Sequence, residues 1–202
     1  LAGWAILGSF MIGYLFGFIA VLYLMQNVVY SIWLKHVVLL DVMVVASGFL
    51  LRAVGGAIAI RVPISSWFIL CTFSLALFLA CIKRRQELLL LKEDASSHRL
   101  ILGEYSVPFL DQIISILTSS TLVCYALYAM GVGDNLSNDT KMQWTIPFVF
   151  YGVLRYLYVV FHHGIGDNPT AVVWNDRPLQ ISGLLWLVAV GVSIYLLPIS
   201  LN

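Results

Sequence analysis

Six apolar runs dominate the chain, each closed by a short polar interval. They cover residues 3–24, 37–60, 67–82, 110–130, 144–161 and 179–197. Most reach the ~20 residues that carry a helix across a bilayer, and the third does so once residues 64–66 are included. Backbone groups in lipid must find partners within their own segment, so helices are predicted. The runs are too long and too continuously apolar for barrel strands. The expected fold class is therefore all-α, a polytopic transmembrane helical bundle that forms one domain over residues 1–202. No internal repeat is visible.

Composition extends this reading to the whole chain. Hydrophobic residues make up 61% and charged residues only 10%, where a soluble domain carries about 25% charged residues. The net charge of +1 is not gathered into a basic domain, which argues against nucleic acid as a partner. Charge placement predicts the orientation. The connections 25–36, 83–109 and 162–178 hold Lys35, Lys83, Arg84, Arg85, Lys92, Arg99 and Arg177, whereas the opposite side holds only Arg61 and Lys141. The first set is predicted to be cytoplasmic. All four histidines, His36, His98, His162 and His163, share that side. Cys71, Cys81 and Cys124 lie inside apolar runs without metal-ligand spacing and read as small buried hydrophobes. The triplets at Asn135 and Asn138 match a glycosylation acceptor pattern that is common by chance. There is no signal-peptide pattern, and the sequence opens inside an apolar run without Met. The expectation is that it is the C-terminal part of a longer protein.

Candidate chemistry concentrates where charge meets the apolar runs. Lys83, Arg84, Arg85, Gln86 and Glu87 end the third run. Such a cluster is either a positive-inside anchor or a phosphate site, since the planar Arg fork matches phosphate oxygens. Lys83 and Glu87 stand one helical turn apart and predict an ion pair. In the second run Asp41 and Arg52 are eleven residues apart, nearly three turns, and share a stripe with Gly48, Gly55 and Ala59. A charge at bilayer depth is expected to face a partner helix or a wet cavity, and small residues let a helix or ligand approach. Tyr151, Arg155, Tyr158 and His162 recur on one face of the fifth run. Tyr30 and Lys35 flank the entry to the second run, where aromatic and Lys residues commonly anchor. Asp111 and Asp176 have structural explanations as helix-opening carboxylates, and Pro178 suits a first helical turn. Walker A, nucleophile-elbow, His-Glu-x-x-His and CxxC patterns are all absent. Residue patterns alone thus reach a cytoplasm-facing polar cavity rich in phosphate-compatible cations, and go no further.

Particular stretches carry a resemblance. Tyr30-Ser31-Ile32-Trp33-Leu34-Lys35-His36, Leu40-Asp41-Val42 and Gly48-Phe49-Leu50-Leu51-Arg52-Ala53 resemble the UbiA-type intramembrane prenyltransferase superfamily. Within it the chain is similar to the polyprenyl-phosphate phosphoribosyltransferase branch, whose acceptors include decaprenyl phosphate. The supporting stretches are Phe78-Leu79-Ala80 leading into Lys83-Arg84-Arg85-Gln86-Glu87-Leu88, His98-Arg99, Glu104-Tyr105-Ser106, Leu110-Asp111-Gln112, Arg155-Tyr156-Leu157-Tyr158 and Asp176-Arg177-Pro178. Ordinary members of the superfamily carry a magnesium-binding Asp-rich motif where this chain has residues 83–87.

The resemblance implies a nine-helix fold around a cytoplasm-facing cavity, of which six helices are here and the first three are not. It also implies that Mg²⁺ is held by an upstream Asp-rich loop, so that this piece alone is inactive. The implied reaction is transfer of 5-phosphoribosyl from phosphoribosyl pyrophosphate to a polyprenyl (decaprenyl) phosphate, with release of pyrophosphate. Its place is the bacterial plasma membrane, in synthesis of a cell-envelope polysaccharide precursor. Lys83, Arg84 and Arg85 would take donor phosphates, with Glu87 orienting that cluster or a ribose hydroxyl. Tyr30, Lys35 and Arg52 would contact pyrophosphate or the acceptor phosphate, and Arg155 and Tyr158 would line the same cavity. Apolar walls would take the lipid chain. Homo-oligomerisation stays open. Two alternatives also stand: a prenyltransferase acting on an aromatic or quinone acceptor, and a lipid transporter with Arg52 and Arg155 along its path.

Overall fold

The computed structural model describes residues 2–90, 104–132, 142–163 and 173–195. All regular structure among them is helical. A first helix, α1 (Ala2–Ile12), is broken at Gly13 from α2 (Tyr14–Ile32). A 3₁₀ turn (Leu34–His36) leads into α3 (Leu40–Ala59), followed by α4 (Ser66–Leu90) and α5 (Val107–Ala129). A second 3₁₀ turn (Met142–Thr145) opens α6 (Ile146–His163), and α7 (Arg177–Tyr195) follows. Six of these helices are long and apolar enough to cross a membrane, as the six apolar runs predict. Lys92, Arg99, His98, Lys141, Asn135 and Asn138 lie outside the described residues.

One boundary differs from the sequence reading. The first span is not one helix over residues 3–24: the chain breaks at Gly13 and the spanning helix continues to Ile32. Gln26 and Asn27 look like loop residues, but each amide donates to a backbone carbonyl, Val44 O and Tyr23 O respectively. Polar side chains satisfied in this way can ride inside a helix in lipid. The third span continues as a helix past Ile82 to Leu90, as the one-turn spacing of Lys83 and Glu87 predicts.

Consecutive helices pack side by side, α4 against α3 and α5 most extensively. The small-residue stripe of α3 does what its spacing predicts. A Cβ on Gly48 would meet Gln26 Nε2 at 3.3 Å, and one on Gly55 would meet Ile19 at 3.4 Å, so these glycines let α2 close on α3. The fully buried core gathers toward one end, from Val42 on α3, Phe78 and Ile82 on α4, Leu110 and Ile114 on α5, and Val160 on α6. Many large apolar side chains elsewhere point outward, among them Met11, Tyr14, Ile116 and Leu184, the distribution expected where lipid is the solvent.

The helix ends explain where the polar groups sit. Ser106 caps α5, its hydroxyl accepting from the Phe109 amide, with Pro108 in the first turn. Asp176 caps α7 by accepting from the Leu179 amide at 2.8 Å. At the opposite end a neutral network holds the bundle. Trp186 donates to the Tyr125 hydroxyl at 2.7 Å, which shares a 2.6 Å bond with Thr145.

Candidate functional site

The 25 residues of α4 extend about 37 Å, against about 30 Å of hydrocarbon in a bilayer. Its last turns therefore reach the polar edge, and residues 83–87 sit there. Successive helical residues step by about 100°, so sequence neighbours face different spatial neighbours. Arg84 turns to α3, where its Nε donates to Asp41 Oδ2 at 2.8 Å. Arg85 turns to α5 and α6: its Nε donates to Asp111 Oδ1, and its guanidinium lies 4.1 Å over the Phe161 ring. Gln86 turns to α6, donating to the Val160 carbonyl at 3.4 Å. Lys83 is exposed. Three consecutive side chains thus fasten one helix to three others.

The Arg84 bond belongs to a buried chain of contacts. Asp41 is fully buried and Arg84 nearly so. Arg84 Nη1 also donates to Glu87. The Tyr105 hydroxyl donates to Asp41 Oδ1 at 2.7 Å and accepts from the Leu39 amide at 2.7 Å. Burial raises the Tyr105 phenol above its ordinary value, and its bond to the Asp41 carboxylate raises it further. It therefore stays a protonated donor at neutral pH. Leu39 has φ 66°, a left-handed conformation that is uncommon for a side chain of this kind.

One ion-pair expectation is corrected. Glu87 bonds Arg84, three residues back, instead of Lys83. For Asp41 the partner-helix alternative holds: it pairs with Arg84, 43 residues away, and not across a cavity wall shared with Arg52. Eleven helical residues place Arg52 about 16 Å along the axis from Asp41. Asp111 also differs: α5 begins at Val107, so Asp111 stands a full turn inside the helix and takes Arg85. Lys83, Arg84 and Arg85 are matched by the carboxylates of Asp41, Glu87 and Asp111, which leaves the cluster formally neutral among the described residues.

Arg52 occupies a second place. It is exposed, donates to the Gly48 carbonyl at 3.2 Å, and lies 4.4 Å from the Phe49 ring centre and 5.3 Å from that of Tyr23. With Tyr23, Gln26, Asn27 and Tyr30 it lines a cleft of about 90 Å³ between α2 and α3. Tyr30 and Arg52 therefore line one cleft. Lys35 lies in the 3₁₀ turn, partly buried. Arg155 forms a third place. It grips Asp176 with two nitrogens, the shortest bond being 2.8 Å, and its guanidinium lies 5.1 Å over Tyr158, whose ring stacks on His162. An apolar cavity of about 400 Å³ opens between α4, α6 and α7, lined by Phe78, Leu79, Gly152, Tyr156, Leu179 and Trp186 among others.

Sequence patterns singled out the cations but missed their partners. Asp41, Asp111 and Asp176 lie at helix ends on the same side as the cations. Counting residues from each helix end would have placed them at matching depth. Among the described residues no group of three His, Cys, Asp or Glu side chains converges.

No protein-family model matches the chain. It is nevertheless a homologue, over most of its length, of curated bacterial proteins named decaprenyl-phosphate phosphoribosyltransferase. The protein of that name from Mycolicibacterium smegmatis is 34% identical over 181 residues, covering 86% of this chain and 56% of the relative. The Mycobacterium tuberculosis protein is 30% identical over 187 residues, covering 93% of this chain and 61% of its own length. The Corynebacterium glutamicum protein is 29% identical over 178 residues. The chain thus spans little more than half the length of the relatives it matches.

Proposed function

We propose that this chain serves a membrane-embedded transferase that moves 5-phosphoribosyl from phosphoribosyl pyrophosphate to decaprenyl phosphate. A phosphate oxygen of the lipid attacks the anomeric carbon, the bond from that carbon to pyrophosphate breaks, and pyrophosphate leaves. The acceptor phosphate is already ionised, so no general base is required. Positive charge develops on the ribose and negative charge on the leaving group, where preorganised cations are most effective. Lys83, at the polar edge, and the edges of Arg84 and Arg85 not bonded to carboxylates are the donor-phosphate groups, with Glu87 orienting Arg84. Tyr30 and Arg52, which share a cleft, and Lys35 meet pyrophosphate or the acceptor phosphate. Arg155 and Tyr158 take part in the same phosphate contacts, and the apolar cavity between α4, α6 and α7 receives the lipid chain. Any magnesium would take its ligands from outside the described residues. The polar end faces the cytoplasm of a bacterial plasma membrane, on the side with the excess of Lys and Arg.

The observation that supports this reading is the 34% identity over 86% of the chain to a protein named for this transfer. The test uses the complete protein in membranes, phosphoribosyl pyrophosphate labelled in the ribose, and decaprenyl phosphate. The expected result is label in the lipid phase with stoichiometric pyrophosphate, and a donor KM raised severalfold in Lys83→Ala. Prenyl transfer to an aromatic acceptor, or lipid movement without pyrophosphate release, would overturn it.

A further inference from the structure

Arg84 is the most enclosed cation described at the polar end. A guanidinium in such a place has five donors and can turn in several ways unless something fixes it. Here Nε is committed to Asp41 Oδ2 and Nη1 to Glu87, while Nη2 takes no bond among the described residues. What fixes Asp41 therefore fixes Arg84. The carboxylate has two oxygens, and the second accepts the Tyr105 hydroxyl at 2.7 Å. That hydroxyl cannot swing away freely, because its lone pair holds the Leu39 amide at 2.7 Å. Leu39 in turn is kept at φ 66°, a conformation that persists only where the surroundings over-determine it. The bend that contains it also carries Lys35 and His36. Tyr105 itself is nearly buried, just ahead of the Ser106 cap of α5. One hydroxyl thus joins three pieces of chain: the bend before α3, the start of α5 and, through Asp41, the charged end of α4.

We infer that Asp41 and Tyr105 are positioning residues: through the contacts from the Leu39 amide to Tyr105, Asp41 and Arg84, they aim the free edge of Arg84 and hold the Lys35 bend in fixed relation to it. The inference rests on the phosphoribosyl-transfer reading for what Arg84 is aimed at, the phosphates of the donor. Asp41 is too buried to touch substrate, and Tyr105 has both its donor and its acceptor occupied by the protein, so neither is a catalytic residue. Neutralising the Arg84 charge is a secondary effect; a bulky apolar pocket could not orient a planar fork, whereas a carboxylate locked by a phenol can.

Tyr105→Phe in the complete protein removes one oxygen and leaves the Asp41–Arg84 pair in place, so folding survives. The expected result is a donor KM raised about tenfold, with kcat and acceptor KM within twofold of the parent. The Arg84 Nε–H resonance, read by ¹⁵N NMR of arginine-labelled protein in micelles, loses its protection from solvent exchange. Leu39→Gly adopts φ 66° without a Cβ, so the double variant Tyr105→Phe with Leu39→Gly separates the roles. It recovers whatever stability the bend lost, but the donor KM and the Arg84 resonance stay altered. An unprotected Arg84 Nε–H in the parent, a parent-like resonance in Tyr105→Phe, or full recovery by Leu39→Gly would overturn the inference. The resonance arm needs no turnover. If the parent protein transferred no phosphoribosyl, the functional reading would fall while the positioning role would still be decided.

Discussion

Arg84 and Arg52 are both arginines inside helices long enough to span a membrane, and their surroundings are opposite. Arg84 is buried, bonded to Asp41 and Glu87, and enclosed by a phenol and the start of α5. Arg52 is exposed, rests on two aromatic rings and a backbone carbonyl, and meets no carboxylate among the described residues. The first is built into the architecture, with its Nε and Nη1 committed to carboxylates. The second has most of its donors available. Two charges that look alike in sequence therefore divide the work, Arg84 fastening helices and Arg52 lining an open cleft.

The sharpest way to break this contrast is to strand the buried charge. Asp41→Ala leaves the buried Arg84 with Glu87 alone and is expected to destabilise the bundle by as much as about 3–5 kcal/mol, read from reversible unfolding in mixed micelles. Replacing the pair together, Asp41→Leu with Arg84→Met, should return most of that loss, because a packed apolar pair is often as stable as a buried ion pair. Arg155→Ala should come next. Its pair with Asp176 is partly exposed, so solvent screening makes the loss smaller than that of Asp41→Ala, and Asp176 keeps its cap on α7. Arg52→Ala should change stability by no more than about 0.5 kcal/mol while raising a substrate KM, which would separate function from fold at that cleft. A loss of stability comparable to that of Asp41→Ala would show that Arg52 is built in as well.

The smallest effect concerns pH. The folded Tyr105 phenol titrates above its ordinary value of 10.0 because it is buried and bonded to a carboxylate. The protonated phenol is favoured by folding, so its contribution is complete below pH 10 and is lost as pH climbs toward the folded value. Unfolding midpoints at pH 8 and pH 11 should therefore converge between the parent and Tyr105→Phe. A constant gap between the two would mean that the phenol is not held as described.

The six spans are legible in the sequence because uninterrupted apolar runs of membrane length have few other outcomes. The small-residue contact of α3 with α2 is legible for a similar reason: Gly48 and Gly55 stand two turns apart on one face. Boundaries are harder to read. Gln26 and Asn27 look like a loop until Val44 and Tyr23 supply carbonyls for their amides. Ion-pair partners are hardest. Asp41 shares a stripe with Arg52, and periodicity could not say that tertiary packing carries Arg84 to it from 43 residues away. Helical periodicity describes one helix and is silent about which end of another lies beside it. Tyr105 shows this most clearly, since its importance comes from an amide at residue 39 and a carboxylate at residue 41.

The commitment of Arg84 to Asp41 is tested most directly by a double-mutant cycle on unfolding free energy, with Asp41→Ala, Arg84→Ala and the two combined. A coupling of about 1–3 kcal/mol is predicted, with the double variant more stable than the sum of the single losses. Additive losses, with coupling near zero, would contradict it.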